Sequence, residues 1–180
     1  MAAEGLLGSL QAEQGSPVTL VRLDPTDPSQ AIAVINGSLY KTTRGSLSLT
    51  PAPLRGPVDD VVVAPSAAGA PPTLYAAVSR QRAVWKSADG GAHWAPASSG
   101  LPRYARTVAL ALDLNRPSTV YLATTLTLYV SDDGANTWQP LATAGLPPLT
   151  VTSIATGLSG TGRALFAATD GGGAFVLTRP

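Results

Sequence analysis

The sequence predicts an all-β protein built from four copies of one antiparallel unit of ~45 residues. Short runs of Val, Thr, Leu and Ala alternate with 18 Gly and 16 Pro, as is typical of short strands joined by tight turns. A ten-residue segment at 85–94 also returns 44 positions later, at 129–138. Aromatic residues recur at nearly the same spacing along the whole chain.

The repeated segment reads aromatic-x-Ser-x-Asp, then Gly, then Trp, and we name its copies box 2 (residues 87–94) and box 3 (131–138). An aspartate accepts hydrogen bonds from backbone N–H groups just ahead of it, and glycine tolerates positive φ, so each box predicts a tight turn. The Trp behind the turn can pack beneath it. The predicted structural residues are Ser87, Asp89, Gly91 and Trp94 in box 2, and Ser131, Asp133, Gly134, Thr137 and Trp138 in box 3.

Two ladders of bulky residues set the period of the repeat. The first has steps of 45, 44 and 46 residues and comprises Tyr40, Trp85, Tyr129 and Phe175. The second has steps of 43, 46 and 45 residues and comprises Ile32, Tyr75, Tyr121 and Phe166. This period is the length of a four-stranded propeller blade, so we expect four blades with strands A to D. We also expect six aromatic residues to lie in the core between blades: Trp85, Trp94, Trp138, Tyr75, Tyr121 and Phe166.

The repeats predict a single domain over residues 1–180, with blades at about 17–53, 54–101, 102–146 and 147–180. The fourth unit stops where its box would begin, so we expect that blade to lack strand D. The N-terminal segment, residues 1–16, is a candidate closing strand through residues 6–11. Three arrangements remain open: a small closed ring, two half-rings that pair as a homodimer, and a piece of a longer chain.

The boxes resemble the Asp-box (BNR) repeat, Ser-x-Asp-x-Gly-x-Thr-Trp. This repeat occurs in sialidases, xyloglucan-cleaving glycosidases, the Vps10/sortilin family and propeller-type photosystem II assembly factors. Box 2 departs from it at His93, in the Thr position, and box 3 at Ala135, in the Gly position. The resemblance implies a β-propeller whose boxes lie between strands C and D, on the rim away from any ligand face. It also favours an extracytoplasmic or secreted protein, although Met1 to Gly15 does not read as a signal peptide.

Composition argues against several classes of function. Twelve Lys and Arg against 11 Asp and Glu leave no dense basic surface for nucleic acid. No apolar run approaches the ~20 residues that a membrane span needs. With no cysteine there is no disulfide, thiol nucleophile or thiolate zinc site, and residues 132–134 lack the ligand spacing of a calcium loop. We therefore expect neither a metal nor a cofactor.

The loops that join D to A and B to C share one face of a propeller, and here they are rich in arginine. The predicted binding residues are Arg55, Arg80, Arg82, Arg103, Tyr104 and Arg106. Guanidinium groups beside a tyrosine suit carboxylate, phosphate or sulfate groups. These residues favour a non-enzymatic module that binds a protein or glycan partner, and a plainly solvated loop surface is the simpler interpretation of the same pattern.

A glycoside hydrolase is the alternative, and it requires two carboxylates that flank the scissile bond. The acids expected on the loop face are Asp59, Asp60 and Asp170. The same residues also fit the start of a strand and a Gly-rich hairpin turn. The sole histidine, His93, lies within a box, which argues against a role as general base.

Overall fold

The computed structural model describes residues 17–42, 49–51, 54, 56–67, 69–78, 83–103, 106–142, 150–159 and 162–179. Within these ranges the chain forms four antiparallel sheets, each made of consecutive strands. Sheet 1 contains β1 (Val18–Leu23), β2 (Ala31–Ile35), β3 (Ser38–Thr42) and β4 (Leu49–Pro51). Sheet 2 contains β5 (Asp60–Ala64), β6 (Thr73–Val78), β7 (Ala83–Ser87) and β8 (Ala95–Pro96). Sheet 3 contains β9 (Thr107–Leu112), β10 (Val120–Thr124), β11 (Leu128–Ser131) and β12 (Gln139–Pro140), and sheet 4 contains β13 (Val151–Ser159), β14 (Gly162–Thr169) and β15 (Gly173–Arg179).

The first three units each contain strands A, B and C, as the sequence predicts. The D strands of units 2 and 3, predicted at residues 93–97 and 137–142, have only two residues each. They begin late because the residues ahead of them remain bonded to their box: the His93 N–H still donates to Asp89. Sheet 4 has three strands among the described residues, as expected for a unit that ends before its box. Its strands are longer than the predicted ranges, which were 150–156, 164–168 and 174–178. β13 pairs with β14 at eight positions from Val151 to Ser159.

The sheets follow one another in chain order, because the A strands lie side by side: β1 contacts β5, β5 contacts β9, and β9 contacts β13. Apolar side chains fill each gap between neighbouring sheets. Val34 and Val61 belong to the core between sheets 1 and 2, Leu122 to that between sheets 2 and 3, and Leu165 to that between sheets 3 and 4. The central strands β2 and β10 are buried along their whole length, which explains their nearly continuous apolar sequences.

The expectation of a core position is wrong for one of the six aromatic residues, Phe166. Tyr75, Tyr121 and Trp138 are 3 to 4% exposed between neighbouring sheets, whereas Phe166 is 36% exposed. Phe166 pairs with Ala155 and Val176 on the face of sheet 4 that points away from sheet 3, and Val176 is 52% exposed. A ladder position fixes the face of the sheet, but burial also requires a neighbouring sheet.

Two further expectations concern a closing strand near the N-terminus and membrane-spanning segments. The closing strand proposed at residues 6–11 lies outside the described residues. Among the described residues, no helix is both long enough and apolar enough to cross a membrane.

Candidate functional site

Box 3 closes through hydrogen bonds from its own serine and aspartate. Ser131 Oγ donates to Asp133 Oδ1 over 2.7 Å and accepts from the Ala135 N–H over 2.8 Å. The Asp133 carboxylate also accepts from the Thr137 N–H at 2.9 Å and from Thr137 Oγ1 at 2.6 Å. The Thr137 hydroxyl is the main cause that lowers the pKa of Asp133 to about 2, so this carboxylate is ionised at neutral pH.

Box 2 has the same arrangement, with His93 in the place of Thr137. Ser87 Oγ donates to Asp89 Oδ1 and accepts from the Gly91 N–H, both over 2.8 Å. The His93 N–H donates to Asp89 Oδ1 over 2.9 Å, and His93 Nδ1 lies 2.6 Å from Asp89 Oδ2. These bonds, led by the His93 N–H, lower the pKa of Asp89. The imidazole therefore substitutes for a hydroxyl in the turn, which explains the departure from the threonine pattern.

The two boxes also share their backbone conformation. Gly90 and Gly134 have φ of 67° and 69°, and Gly91 and Ala135 have φ of 90° and 65°. Ala135 thus holds a left-handed conformation that disfavours a side chain, with its methyl group fully buried between sheets 2 and 3.

The box tryptophans differ in their surroundings. Trp138 is 3% exposed, and its Nε1 donates to the carbonyl of Ala97 in sheet 2 over 2.7 Å. The Trp138 N–H donates to the Ser99 carbonyl, and Gly100 lies so close that an added Cβ would stand 2.3 Å from the Trp138 carbonyl oxygen. Trp94 is only partly buried, and its Nε1 donates within its own box to the Gly91 carbonyl over 3.2 Å. Trp138 therefore forms a hydrogen bond between two sheets, whereas the Trp94 indole bonds within its own box and packs against the core between sheets 1 and 2.

Two lysines that the sequence analysis missed connect each box to the preceding sheet. Lys41 Nζ of sheet 1 donates to the Gly90 carbonyl over 3.3 Å, and Lys86 Nζ of sheet 2 donates to the Gly134 carbonyl over 2.8 Å. The sequence contained a signal for this role. Each lysine directly follows a residue of the first aromatic ladder, and the two lysines are 45 positions apart, which is the period of the repeat. In the third unit the corresponding position, directly after Tyr129, is Val130. Among the described residues there is no fourth box for a side chain at this position to contact.

Asp60 is buried at the junction of three sheets. Its Oδ1 accepts from Arg22 of sheet 1 over 3.1 Å and from its own neighbour, the Val61 N–H, over 2.8 Å. Its Oδ2 accepts from the Leu110 N–H of sheet 3 over 2.8 Å. Burial raises the pKa of Asp60, while these hydrogen bonds and the Arg22 charge oppose that rise. Both oxygens are engaged in joining the sheets.

The other two candidate acids lie on the surface. Asp59 is exposed just before β5, and its N–H donates to the Ala77 carbonyl. Asp170 is exposed in the turn between β14 and β15, and its N–H donates to the Thr150 carbonyl over 2.9 Å. The positive φ of Gly171 and Gly173 fits this tight turn.

Backbone hydrogen bonds bring the D–A and B–C connections to one face, as the sequence analysis expected. The Val58 N–H donates to the Gly37 carbonyl, and the Thr125 N–H donates to the Arg106 carbonyl. Arg103 and Arg106 are both exposed in the connection from sheet 2 to sheet 3. The remaining candidates lie outside the described residues: Arg55, Arg80, Arg82 and Tyr104.

The described residues offer no evident site for a metal. In the ranges given above, no three His, Asp or Glu side chains are grouped as a bound ion would need. The carboxylates of the boxes are instead engaged by backbone N–H groups and side chains of the same turns.

Known structures share this arrangement of sheets. One named "YCF48 bound to D1 peptide" matches with a TM-score of 0.68 at 16% identity, over 92% of this chain and 52% of that one. The GH74 xyloglucanase from Xanthomonas campestris matches with a TM-score of 0.63 at 18% identity, over 88% of this chain and 28% of that one. An ancestral GH74 enzyme matches with a TM-score of 0.61 at 18% identity, over 89% of this chain and 25% of that one. The chain has the fold of these β-propellers.

At these identities the likeness establishes the fold alone. The chain spans between a quarter and about half of the length of the structures it matches. No family model matches the sequence, and no curated protein matches it either. The four sheets correspond to an incomplete propeller.

Proposed function

We propose that this chain is a non-enzymatic propeller scaffold whose arginine-rich loop face binds a protein or glycan partner. Its boxes are Asp-box (BNR) repeats that hold the sheets in place, a view that the shared Ser–Asp hydrogen bonds of both boxes support. The proposal assigns recognition to loops and rigidity to boxes, since binding residues of repeat proteins commonly lie on loops held by a rigid scaffold.

The observation that carries the proposal is the engagement of Asp60. A glycosidase needs one carboxyl group that stays protonated and a second that acts as nucleophile or base, and both must face the substrate. Asp60 has 7% of its surface exposed and uses both oxygens to join sheets 1, 2 and 3. Its geometry therefore favours a structural role over catalysis.

The chemistry of the loop face supports an acidic partner. Exposed Arg103 and Arg106 provide forked donors that suit carboxylate or sulfate groups. One of the similar structures, YCF48, is bound to a peptide, which shows that a propeller of this kind can present a surface to a protein segment. A peptide rich in Asp and Glu is the simplest ligand that these arginines can recognise.

Replacement of either arginine should weaken binding of an acidic peptide. We expect Arg103→Ala and Arg106→Ala each to lower the affinity for a synthetic twelve-residue Glu-rich peptide about two- to fivefold, since a charged contact at an exposed site contributes up to ~1 kcal/mol. Arg116→Ala removes the same charge from an exposed turn between strands A and B and serves as the control. Calorimetric titration at low salt measures these affinities. Equal losses in all three variants would indicate non-specific attraction and would contradict the proposal.

A glycoside hydrolase remains the second candidate, and the observation in its favour is the fold that the chain shares with GH74 enzymes. In that case Asp59 or Asp60 would act with Asp170, although only Asp59 and Asp170 are exposed. Release of reducing ends from xyloglucan by the intact protein would favour this alternative.

Self-association of half-rings is a further part of the proposal. Sheet 4 presents Phe166, which is 36% exposed, and Val176, which is 52% exposed, on the face that points away from sheet 3. A second copy that covers this face would complete a ring of eight sheets. Light scattering should then give twice the chain mass of 18.2 kDa. The Phe166→Ser variant should give the mass of a single chain. A wild-type protein that stays at the single-chain mass at high concentration would contradict the pairing.

A further inference from the structure

The outer edges of the first three sheets are short, and each carries a proline. The outer strands β4, β8 and β12 contain three, two and two residues, and each ends in proline. These prolines recur at steps of 45 and 44 positions: Pro51, Pro96 and Pro140. Proline has no N–H group to offer to a further strand, and short strands with proline keep the edges of natural sheets from pairing. Sheets 1 to 3 are therefore protected at their outer edges.

Sheet 4 has a different outer edge. Among the described residues its outer strand is β15, which runs over seven residues and contains neither proline nor lysine. Ala174, Val176 and Thr178 are exposed along this strand. A long outer strand without such protection is a template for pairing with another strand. The repeat thus protects three edges of the array and leaves the fourth without the same protection.

The neighbouring sheets show which position of β15 points to this edge. In sheet 2 the Ala97 N–H, just after strand D, donates to the Val84 carbonyl of strand C. In sheet 3 the Leu141 N–H donates in the same way to the Leu128 carbonyl. Ala174 holds the same position in sheet 4, because each of the three strand C residues pairs with the residue two positions after the second-ladder aromatic. The Ala174 carbonyl therefore faces the outer edge.

The alternation of an antiparallel strand extends this orientation along β15. Every second residue of such a strand directs its N–H and C=O groups to the same side. The groups of Ala174, Val176 and Thr178 therefore point out of sheet 4, and we name these three residues the outward set. The groups of Phe175 and Leu177 point to β14, with which β15 pairs over its whole length.

An exposed apolar patch lies beside this edge. Phe166 and Val176 pair with each other on the face of sheet 4 that points away from sheet 3, and they are 36% and 52% exposed. In sheets 2 and 3 the residue after the edge proline, Ala97 or Leu141, packs into the core on the corresponding side. A strand added to β15 would place an apolar side chain over the same patch. The edge and the patch therefore form one site.

The reach of the chain bears on what can pair with β15. A closing strand at residues 6–11 would leave residues 12–16 to connect it to β1, a span of at most about 20 Å. Sheets 1 and 4 lie at opposite ends of the array with three junctions between them, and packed sheets are about 10 Å apart. Apart from β15, the outer strands of a second copy are the short ones that end in proline. A separate extended segment is the occupant that fits both limits.

We propose that the outer edge of β15 binds an extended segment of a partner protein by addition of a strand to sheet 4. The segment forms backbone hydrogen bonds with the outward set, and its alternate apolar side chains cover Phe166 and Val176. Recognition by backbone groups and an apolar patch requires no charged side chain. The inference therefore does not depend on the arginine-rich loop face, with which this site shares no residue.

The probe is a synthetic peptide with the sequence of residues 134–142 and capped ends, because this segment contains the strand that pairs with the equivalent strand of sheet 3. It has no charged side chain, so the arginines of the loop face do not attract it by charge. NMR follows amide hydrogen exchange of the intact ¹⁵N-labelled chain. In the free chain the outward set should exchange about tenfold faster than Phe175 and Leu177, or faster still. The peptide should slow that exchange and bind saturably with a Kd of ~1 mM or tighter.

Changes to the outward N–H groups should weaken this binding. Val176→Pro removes one of them, keeps the bonds to β14 and gives sheet 4 the proline that the other edges have, so we expect the affinity to fall about tenfold. Val176→Thr keeps the N–H and a β-branched side chain, and this matched control should stay within about twofold of the wild type. A peptide that is N-methylated at the position of Leu141 lacks the N–H that donates in sheet 3. It should bind the unaltered protein about tenfold more weakly.

Three results would overturn the inference. If the outward set of the free chain exchanges as slowly as Phe175 and Leu177 at every protein concentration, the chain itself occupies the edge. If its exchange slows as the protein concentration rises without peptide, a second copy occupies the edge. The third result is the absence of saturable peptide binding, or binding that both Val176→Pro and N-methylation of the peptide leave unaltered.

Discussion

Replacement of Trp138 by alanine is expected to lower the free energy of unfolding by ~3–5 kcal/mol, as is typical of a large aromatic side chain removed from a core. Trp138 is 3% exposed and belongs to the core between sheets 2 and 3. Its loss also leaves the Ala97 carbonyl without the Nε1–H that it accepts over 2.7 Å. The effect combines a cavity with a lost contact between two sheets.

Trp94→Ala provides the matched comparison, because Trp94 occupies the same position of box 2. Trp94 is only partly buried and donates within its own box, so we expect a cost of ~1–2 kcal/mol. Urea denaturation at pH 7 measures both variants, and Trp138→Phe separates the lost hydrogen bond from the lost volume. Equal destabilisation of the two alanine variants would refute the distinction between the sheet-joining and the box-closing tryptophan.

Interactions that close within a few residues could be predicted from the sequence. The bonds of Asp89 and Asp133 reach residues four positions ahead, so the pattern Ser-x-Asp followed by glycine was enough to place both turns. The strands between them followed from turn residues and β-forming runs. Even His93, an apparent departure, preserves the bond to the aspartate, because imidazole and hydroxyl groups can both reach a carboxylate.

Interactions between sheets were harder to predict, because they join residues far apart in the chain. Lys86 reaches Gly134 across 48 positions, and Asp60 reaches Leu110 across 50. No local pattern encodes such a pair, although the 45-residue spacing of Lys41 and Lys86 was a usable signal. Burial was also hard to predict where it depends on a neighbouring sheet. The ladder position of Phe166 predicted on which face of its sheet the side chain lies, but not whether another sheet covers that face.

Replacement of Asp60 by alanine should lower the free energy of unfolding by ~2–4 kcal/mol, because a buried N–H without an acceptor costs ~1–3 kcal/mol and Arg22 also loses its partner. Desolvation moderates this cost. Burial raises the pKa of Asp60, which shows that the ionised form is less favoured in the folded protein than in water. The variant therefore loses three hydrogen bonds but is spared the desolvation of a charge.

Two further variants test whether Asp60 is structural or catalytic. Asp60→Asn retains one acceptor oxygen and should cost less than alanine, ~1–2 kcal/mol, while Asp59→Ala removes an exposed neighbouring carboxylate and should stay within ~0.5 kcal/mol of the wild type. Urea denaturation ranks the three, and release of reducing ends from xyloglucan is assayed on the same samples. If the wild type cleaves xyloglucan and Asp60→Asn abolishes cleavage without loss of stability, Asp60 is a catalytic acid and the scaffold proposal fails. If stability falls in the order given and no sample cleaves the glycan, the carboxylate of Asp60 has the structural role of joining three sheets.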